Sequence, residues 1–502
     1  HLDLGNRERA VEAWRGALGG DPRHAKNFAL VGRLMMEAGL YEEAVEVYRS
    51  GRMHEALYRP MTAEIIRLER LLGDPEAAFR ETVRLIASGP ALNVGDVKLL
   101  ADIYAESGRD ERLLAIADSA AAESESARFD IARAALLLEA GRYGEAERYV
   151  EGRGALADRE FYAFLRYLSV ERRERGERGF LAFRRKVLEA FLDLYPESPV
   201  APEVMISLAE SLREEALLSD GGVGPFERAL ETIALVKHHR LGGPFRERAA
   251  ILEAEILLDD LHRPREALAA IEDAGVPLER SSTRAEEIRM AALVRAGAWE
   301  KVERRAALLE AGGDSAKAAV GLYGRGTASF YRGDYEEAVE LLSSVAERCP
   351  WSPWANDALE TALLVEEALR GGTEPLDRYR DAAALAARGD IAGAADSLEA
   401  LIERFPSSPL RPRALFERAE LDMRSGNGER AERGLETIAE IYPLSDLAPR
   451  ALELLARRAR GGNPRRAEEL YETILERYPD DPFLERVRRD YISLRRSAGK
   501  EE

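Results

Sequence analysis

Six histidines (His1, His24, His54, His238, His239, His262) and a lone cysteine, Cys349, are the side chains of this 502-residue chain best suited to nucleophilic or metal chemistry. Their spacing supports neither. No His-Glu-x-x-His run or paired Cys/His ligand spacing occurs, so the usual zinc sites are not encoded. His238 and His239 are neighbours near the end of an expected helix, where successive side chains diverge by about 100°, and no third ligand accompanies them. Gly221, Gly222 and Gly224 precede Pro225 without the Lys-Ser/Thr of a phosphate-cradling loop, and they join two helices. Gly321, Gly324 and Gly326 fall inside an expected helix, where missing side chains serve close packing. Asp and Glu number 92, scattered throughout, so no pair stands out as acid and base. One cysteine excludes an intramolecular disulfide. The reading is of a non-enzyme, with no catalytic residue, no metal and no cofactor.

The elements that carry these residues are helical. Charged residues are 33% and aromatics only 7%, a balance that suits exposed helical faces better than a sheet core. The net charge of −19 repels nucleic acid and anionic lipid, so no nucleic-acid partner is expected. The basic stretch Arg172, Arg173, Arg175, Arg178, Arg184, Arg185 and Lys186 is interleaved with Glu171, Glu174 and Glu177, as on a solvated face with paired charges. No run approaches the ~20 apolar residues of a membrane span.

A repeat organises the chain. Gly5 to Pro22, Gly39 to Gly51, Gly73 to Pro90 and Gly333 to Pro350 share one template: a turn Gly, a small residue five positions later, then a large apolar residue. The small position runs Ala10, Ala44, Ala78, Leu113, Ala146, Arg184, Ala229, Ala267, Val302, Ala338, Ala394, Ala431, Ala467, in steps of 34, 34, 35, 33, 38, 45, 38, 35, 36, 56, 37 and 36. The first steps match a 34-residue helix-pair period. Arg184 breaks the pattern. The 56-residue step has room for an additional helix at about Ser352 to Leu369, closed by Gly371 and Gly372. Asp481 to Arg496 reads as a polar final cap.

This template resembles the second half of the tetratricopeptide repeat (TPR), and Phe28, Val31, Gly32 and Met35 fit its first half. The resemblance implies an all-α, right-handed TPR-type solenoid of about thirteen helix pairs. Residues 1–155 form a regular array whose first repeat is incomplete, and 156–350 are degenerate repeats. An extra helix or kink occupies 351–374, and repeats with a cap occupy 375–502. Because Gly5 to Pro22 reads as the second half of a repeat, something upstream, a signal peptide or lipid anchor included, is expected to complete it.

A second phrase recurs as Tyr195-Pro-Glu-Ser-Pro, Cys349-Pro-Trp-Ser-Pro, Phe405-Pro-Ser-Ser-Pro and Tyr442-Pro-Leu-Ser-Asp, each opening a new helix. It resembles bacterial cell-envelope TPR proteins, namely the lipoprotein of the outer-membrane β-barrel assembly machine and the periplasmic Tol-Pal coordinator. The resemblance implies a periplasmic or outer-membrane-associated scaffold for protein–protein interaction, with no transmembrane segment of its own.

Carried over position by position, the family's groove contacts fall on Lys26, Arg33 and Met36, then Arg67 and Arg70, then Lys98 and Asp102. A basic groove suited to an acidic segment, without an obvious carboxylate quota from the positions of Arg33, Arg67 and Arg70, is the expectation; the alternative is that these arginines pair with glutamates such as Glu37, Glu64 or Glu69. Further along they fall on Tyr323, Phe330 and Tyr331, and on Phe416, Met423 and Arg424, which would make an apolar anchor if exposed. A structural protein that self-assembles into a filament or other homo-oligomer is the alternative.

Overall fold

The computed structural model describes residues 7–19, 25–54, 57–89, 92–124, 127–150, 158–171, 178–218 and 223–498. The described residues are 81% helical and form 27 α-helices and no strand. Two compact units, His1–Arg246 and Glu247–Glu502, divide it.

The first unit contains α1 (Arg7–Gly19), α2 (Ala25–Glu37), α3 (Tyr41–Gly51), α4 (Tyr58–Leu71), α5 (Pro75–Ser88), α6 (Val94–Glu106), α7 (Glu111–Ser124), α8 (Ala127–Glu139), α9 (Tyr143–Val150), α10 (Asp158–Glu171), α11 (Arg178–Leu194), α12 (Ala201–Leu218) and α13 (Gly224–His238). The second opens within α14 (Arg246–Glu255), which runs on into a π-helical turn at Ile256–Asp260. There follow α15 (Pro264–Asp273), α16 (Thr283–Arg295), α17 (Trp299–Ala311), α18 (Ser315–Arg332), α19 (Tyr335–Arg348), α20 (Ala355–Leu369), α21 (Thr373–Ala387), α22 (Ile391–Arg404), α23 (Arg411–Arg424), α24 (Gly428–Ile441), α25 (Leu447–Ala459), α26 (Pro464–Arg477) and α27 (Leu484–Ala498).

Helices pair because their contact lines are built from small residues. Ala44, Ala78, Ala146, Ala229, Ala267, Val302, Ala338, Ala394, Ala431 and Ala467 are all fully buried, at the positions the repeat frame assigns. Gly32 shows how close the approach is: a Cβ there would lie 2.4 Å from the Tyr48 ring. The three glycines of α18 serve neighbours on three sides, with Gly321 against the Ala306 backbone of α17, Gly324 against Met290 of α16 and Gly326 against Leu342 of α19. Turns are punctuated by local chemistry. Asp74, Ser282, Asp314 and Asp390 cap helix starts, and Pro75, Pro264 and Pro464 open theirs.

Two irregularities have physical causes. Arg184 sits in a small-residue slot and is nevertheless buried, its guanidinium donating to Ser211 Oγ across the α11–α12 contact. Further along the basic stretch Arg185 pairs with Glu189 and Glu215 and Lys186 with Glu147, while 172–177 lie outside the described residues. α20 fills the 56-residue step. It packs closely on α19, sharing the cluster Leu322, Leu342, Val345, Ala358 and Ala362, and touches α21 only lightly.

Candidate binding face of the second unit

On α18, residues three or four apart put Tyr323, Thr327 and Tyr331 on one stripe, beside Met290, Val294 and Arg295 of α16. The Tyr323 ring stacks with Trp354, just before α20, at a centroid distance of 6.5 Å and an interplanar angle of 27°. Together with Leu258, Ile288 and Val320 these side chains line a cavity of about 340 Å³. A second cavity, of about 580 Å³, adjoins it and shares Val294, Arg295 and Tyr331. Its wall comes from the ends of repeats: Arg263 to Glu266, Ala296 to Trp299, and Ala384, Ala387 and Arg388.

The charges here are mostly spoken for. Arg295 donates to the Leu258 carbonyl at 2.8 Å and to Asp259 at 2.9 Å, tying α16 to the π-helical turn. Arg284 is held by Glu255 and Glu287 at 2.7 and 2.8 Å. On the opposite side, Arg413 bridges Glu360 of α20 and Glu417 of its own helix, and the Tyr379 hydroxyl donates to Glu417 at 2.6 Å. Burial pushes the Tyr323 and Tyr331 hydroxyls up, with Asp357 adding to the first and Arg295 opposing the second. Burial also raises the Glu420 carboxyl, against the pull of Arg424. Around the larger cavity the balance is basic: Arg263, Arg265, Arg295 and Arg388 face Glu266 alone among its lining carboxylates.

Of the residues singled out in the sequence, Tyr323 and Tyr331 meet on this face. Phe330 does not. It points the other way, into the core against Tyr335 and Tyr379, and Phe416 is likewise core, so an exposed role for either is corrected by their burial. Met423 packs on the same core, and Arg424 is exposed.

In the first unit, Arg33 and Arg67 both flank the Tyr48 hydroxyl, which burial and then Glu64 raise while the two arginines oppose. The expectation of a groove short of carboxylates gives way to its alternative, pairing with nearby glutamates. Arg33 lies 4.0 Å from Glu37, Arg67 3.8 Å from Glu64 and Lys98 3.8 Å from Asp102, and Arg70 forks onto Glu106. Helical spacing by three or four accounts for the first three pairs, whereas Arg70 reaches from α4 to Glu106 at the end of α6.

Trp354 and Trp299 were not singled out in the sequence because they lie beyond the family's groove positions; Arg295, two residues before Gly297 as Tyr331 is before Gly333, holds a groove position in a repeat to which the positions were not carried over. Among the histidines, His239 is used locally: one ring nitrogen bonds the Pro196 carbonyl at 3.0 Å and the other accepts from Leu241 N at 3.1 Å. No group of three or more His, Cys, Asp or Glu able to hold a metal occurs among the described residues, and α13 begins at Gly224, with Gly221 and Gly222 outside them.

A search of curated proteins returned no match. Solved structures similar to the chain include a Naa15/Naa10 complex bound to HypK-THB, at 14% identity over 100% of this chain and 90% of that one, with a TM-score of 0.24. Human IFIT1, a dimer with PPP-AAAA, is 16% identical over 84% and 95%, with a TM-score of 0.27. Yeast Tom70 is 13% identical over 95% and 96%, with a TM-score of 0.24. The tetratricopeptide-repeat family model matches residues 1–53 and 379–446. With helix pairs, small-residue contact lines and that match together, the fold is an all-α solenoid of tetratricopeptide type.

Proposed function

We propose that the chain is a non-enzymatic adaptor that holds a segment of a partner protein against the inner face of its second unit, within a bacterial cell-envelope complex. The observation that carries the reading is the pair of adjoining cavities, which set an aromatic wall of Tyr323, Trp354 and Tyr331 beside a basic rim of Arg263, Arg265 and Arg388. Rigid aromatics in a partly desolvated recess are where binding energy concentrates, and the rim suits an acidic stretch of the same segment. A periplasmic or outer-membrane-associated location is supported by the recurring aromatic-Pro/Ser-Pro phrase at Tyr195, Cys349, Phe405 and Tyr442. No helix among the described residues is long and apolar enough to cross a membrane.

The test begins with a partner recovered by affinity capture from the native source. Its affinity for the purified chain is measured by calorimetry against the Tyr323→Ala/Tyr331→Ala variant. The reading expects a loss of about thirty-fold or more, as for truncation of an anchoring aromatic. Unchanged affinity would dispose of this face. Arg67→Glu/Arg70→Glu, which alters the paired arginines of the first unit, is expected to change affinity by less than about five-fold.

A second reading, self-assembly, is favoured by the exposed apolar ridge at Ile441 and Leu444, 60% and 100% accessible, over a cavity lined by Pro443, Pro449 and Tyr478. Sedimentation equilibrium decides between the two: a concentration-dependent mass abolished by Leu444→Glu supports it, and a constant monomer mass removes it.

A further inference from the structure

Within the second unit the turn before α15 meets the turn before α22, and the contact is made by a residue foreign to its position. Five residues before each small contact residue the repeat places glycine. At Gly39, Gly73, Gly108, Gly141, Gly297, Gly333, Gly389 and Gly426 the backbone takes a φ between 68° and 89°. In the repeat of Ala267 that position is His262, with φ at 55°. A side chain in this region is strained, and such strain persists where the surroundings enforce it. What enforces it is the partner turn. The His262 side chain abuts Gly389, so that a Cβ on the glycine would stand 3.1 Å from the histidine Cβ and from Cδ2 of the ring. The π-helical turn Ile256–Asp260, an irregularity that often marks functional positions, delivers the histidine to this contact, with Leu261 N bonded to the Ile256 carbonyl.

The residues on either side of the contact are walls of the larger cavity, Arg263 to Glu266 on one and Ala384, Ala387 and Arg388 on the other. We infer that His262 on Gly389 is a latch that closes the mouth of the inner groove and releases when the imidazole is protonated. Its Nδ1 is buried and makes no hydrogen bond to the protein, so nothing there is prepared for a second proton. The charges around it are mixed but lean against a cation. Arg295 of α16 and Arg424 of α23 face the ring, and Arg388 adjoins Gly389. Asp259 and Asp260 on its own turn favour the charge, and Asp390, beyond Gly389, is engaged in capping Gly393 N.

Burial first, then Arg295 and Arg424, hold the imidazole below its ordinary value of 6.5. The sign follows. A histidine that prefers to be neutral in the closed state stabilises that state fully above about pH 6.5, and the stabilisation is lost as pH falls from there through the lowered value.

Amide hydrogen exchange on the full chain, corrected for intrinsic rates, reads the latch without any ligand, so its outcome is independent of whether the groove binds a partner. Between about pH 7.5 and about pH 5, segments 261–266 and 385–391 should lose protection by about ten-fold or more, while α24 to α26 do not change. His262→Gly, which removes both ring and strain, should exchange fast in both segments at either pH. His262→Asn tolerates the same backbone and should behave alike. Circular dichroism at 222 nm confirms that each variant is folded. Protection in the two segments that ignores pH, or that survives in both variants, overturns the latch.

Discussion

Replacing Glu286 with Ala should lower the stability of the second unit by about 3 to 5 kcal/mol. The side chain is fully buried on α16, where it accepts from Ser281 Oγ at 2.7 Å, from Arg289 at 3.0 Å and from Arg305 Nε at 2.7 Å. The magnitude comes from what is left behind. Arg289 and Arg305 are 11% and 19% exposed, so removing the carboxylate strands two guanidinium groups with little water. By contrast Arg33 and Glu37, both more than half exposed, form a pair worth no more than about 1 kcal/mol. Glu286→Gln keeps the volume and one acceptor and should cost about 1.5 to 3 kcal/mol. Urea unfolding followed by tryptophan fluorescence suits the measurement, because Trp299, Trp351 and Trp354 lie in the second unit and Trp14 in the first. The two units are fitted as separate transitions. Acid adds a second reading. Burial pushes the Glu286 carboxyl up, but bonds from Arg305 and Ser281 and the charge of Arg289 outweigh it and hold it below 4.5. Its contribution is therefore complete above about pH 4.5 and fades as pH falls through the lowered folded value, so the gap between parent and variant should narrow in acid. A loss below about 1 kcal/mol, or a gap equal at about pH 7 and about pH 3, would refute the reasoning.

Ala44→Leu, Ala78→Leu and Ala338→Leu each force extra methylenes between fully buried, touching helices and should cost about 1 to 3 kcal/mol, read as a lower melting temperature; no shift in any of the three would break the repeat frame. On α18, Gly326→Ala meets Leu342 carbons at 2.8 Å and its backbone N at 3.2 Å, whereas Gly324→Ala meets only the flexible end of Met290 at 2.3 Å. The first should therefore be the more destabilising, by about 1 kcal/mol or more in the same urea assay, and the reverse order would contradict the packing described.

How far the sequence discloses this protein depends on whether a residue's role is local or assembled. Ala44, Ala78 and Ala338 could be placed at helix contacts from spacing alone, since any 34-residue unit that buries one face must put its small residues there. In the 56-residue step, whose length left room for a helix before Gly371 and Gly372, stands α20. The inner face was only half legible. Tyr323 and Tyr331 could be found because they occur at family groove positions, while Phe330, one residue from Tyr331, turns about 100° away and into the core. Motif offsets calibrated on a 34-residue period drift when α18 alone is 18 residues long. The first-unit charges divide: Glu37, Glu64 and Asp102, three or four residues from Arg33, Arg67 and Lys98, were readable as partners from spacing alone, whereas Glu106, which holds Arg70, lies on another helix.

His262 and Arg184 are departures of one kind, and both were visible once the frame was fixed. Each puts a large polar side chain where the repeat calls for the smallest residues, His262 in the glycine slot of a turn and Arg184 in the alanine slot of a helix contact. A repeat protein tolerates such a residue only if a neighbour beyond its own pair accepts it, because within the pair there is no room. Ser211 on the next helix accepts Arg184, and Gly389, more than a hundred residues along the chain, accepts His262. The identity of the acceptor depends on how the stack curls, which spacing does not encode. A large polar residue in a slot otherwise held by glycine or by small and aliphatic residues therefore marks, from sequence alone, where a repeat array makes a contact its period does not provide.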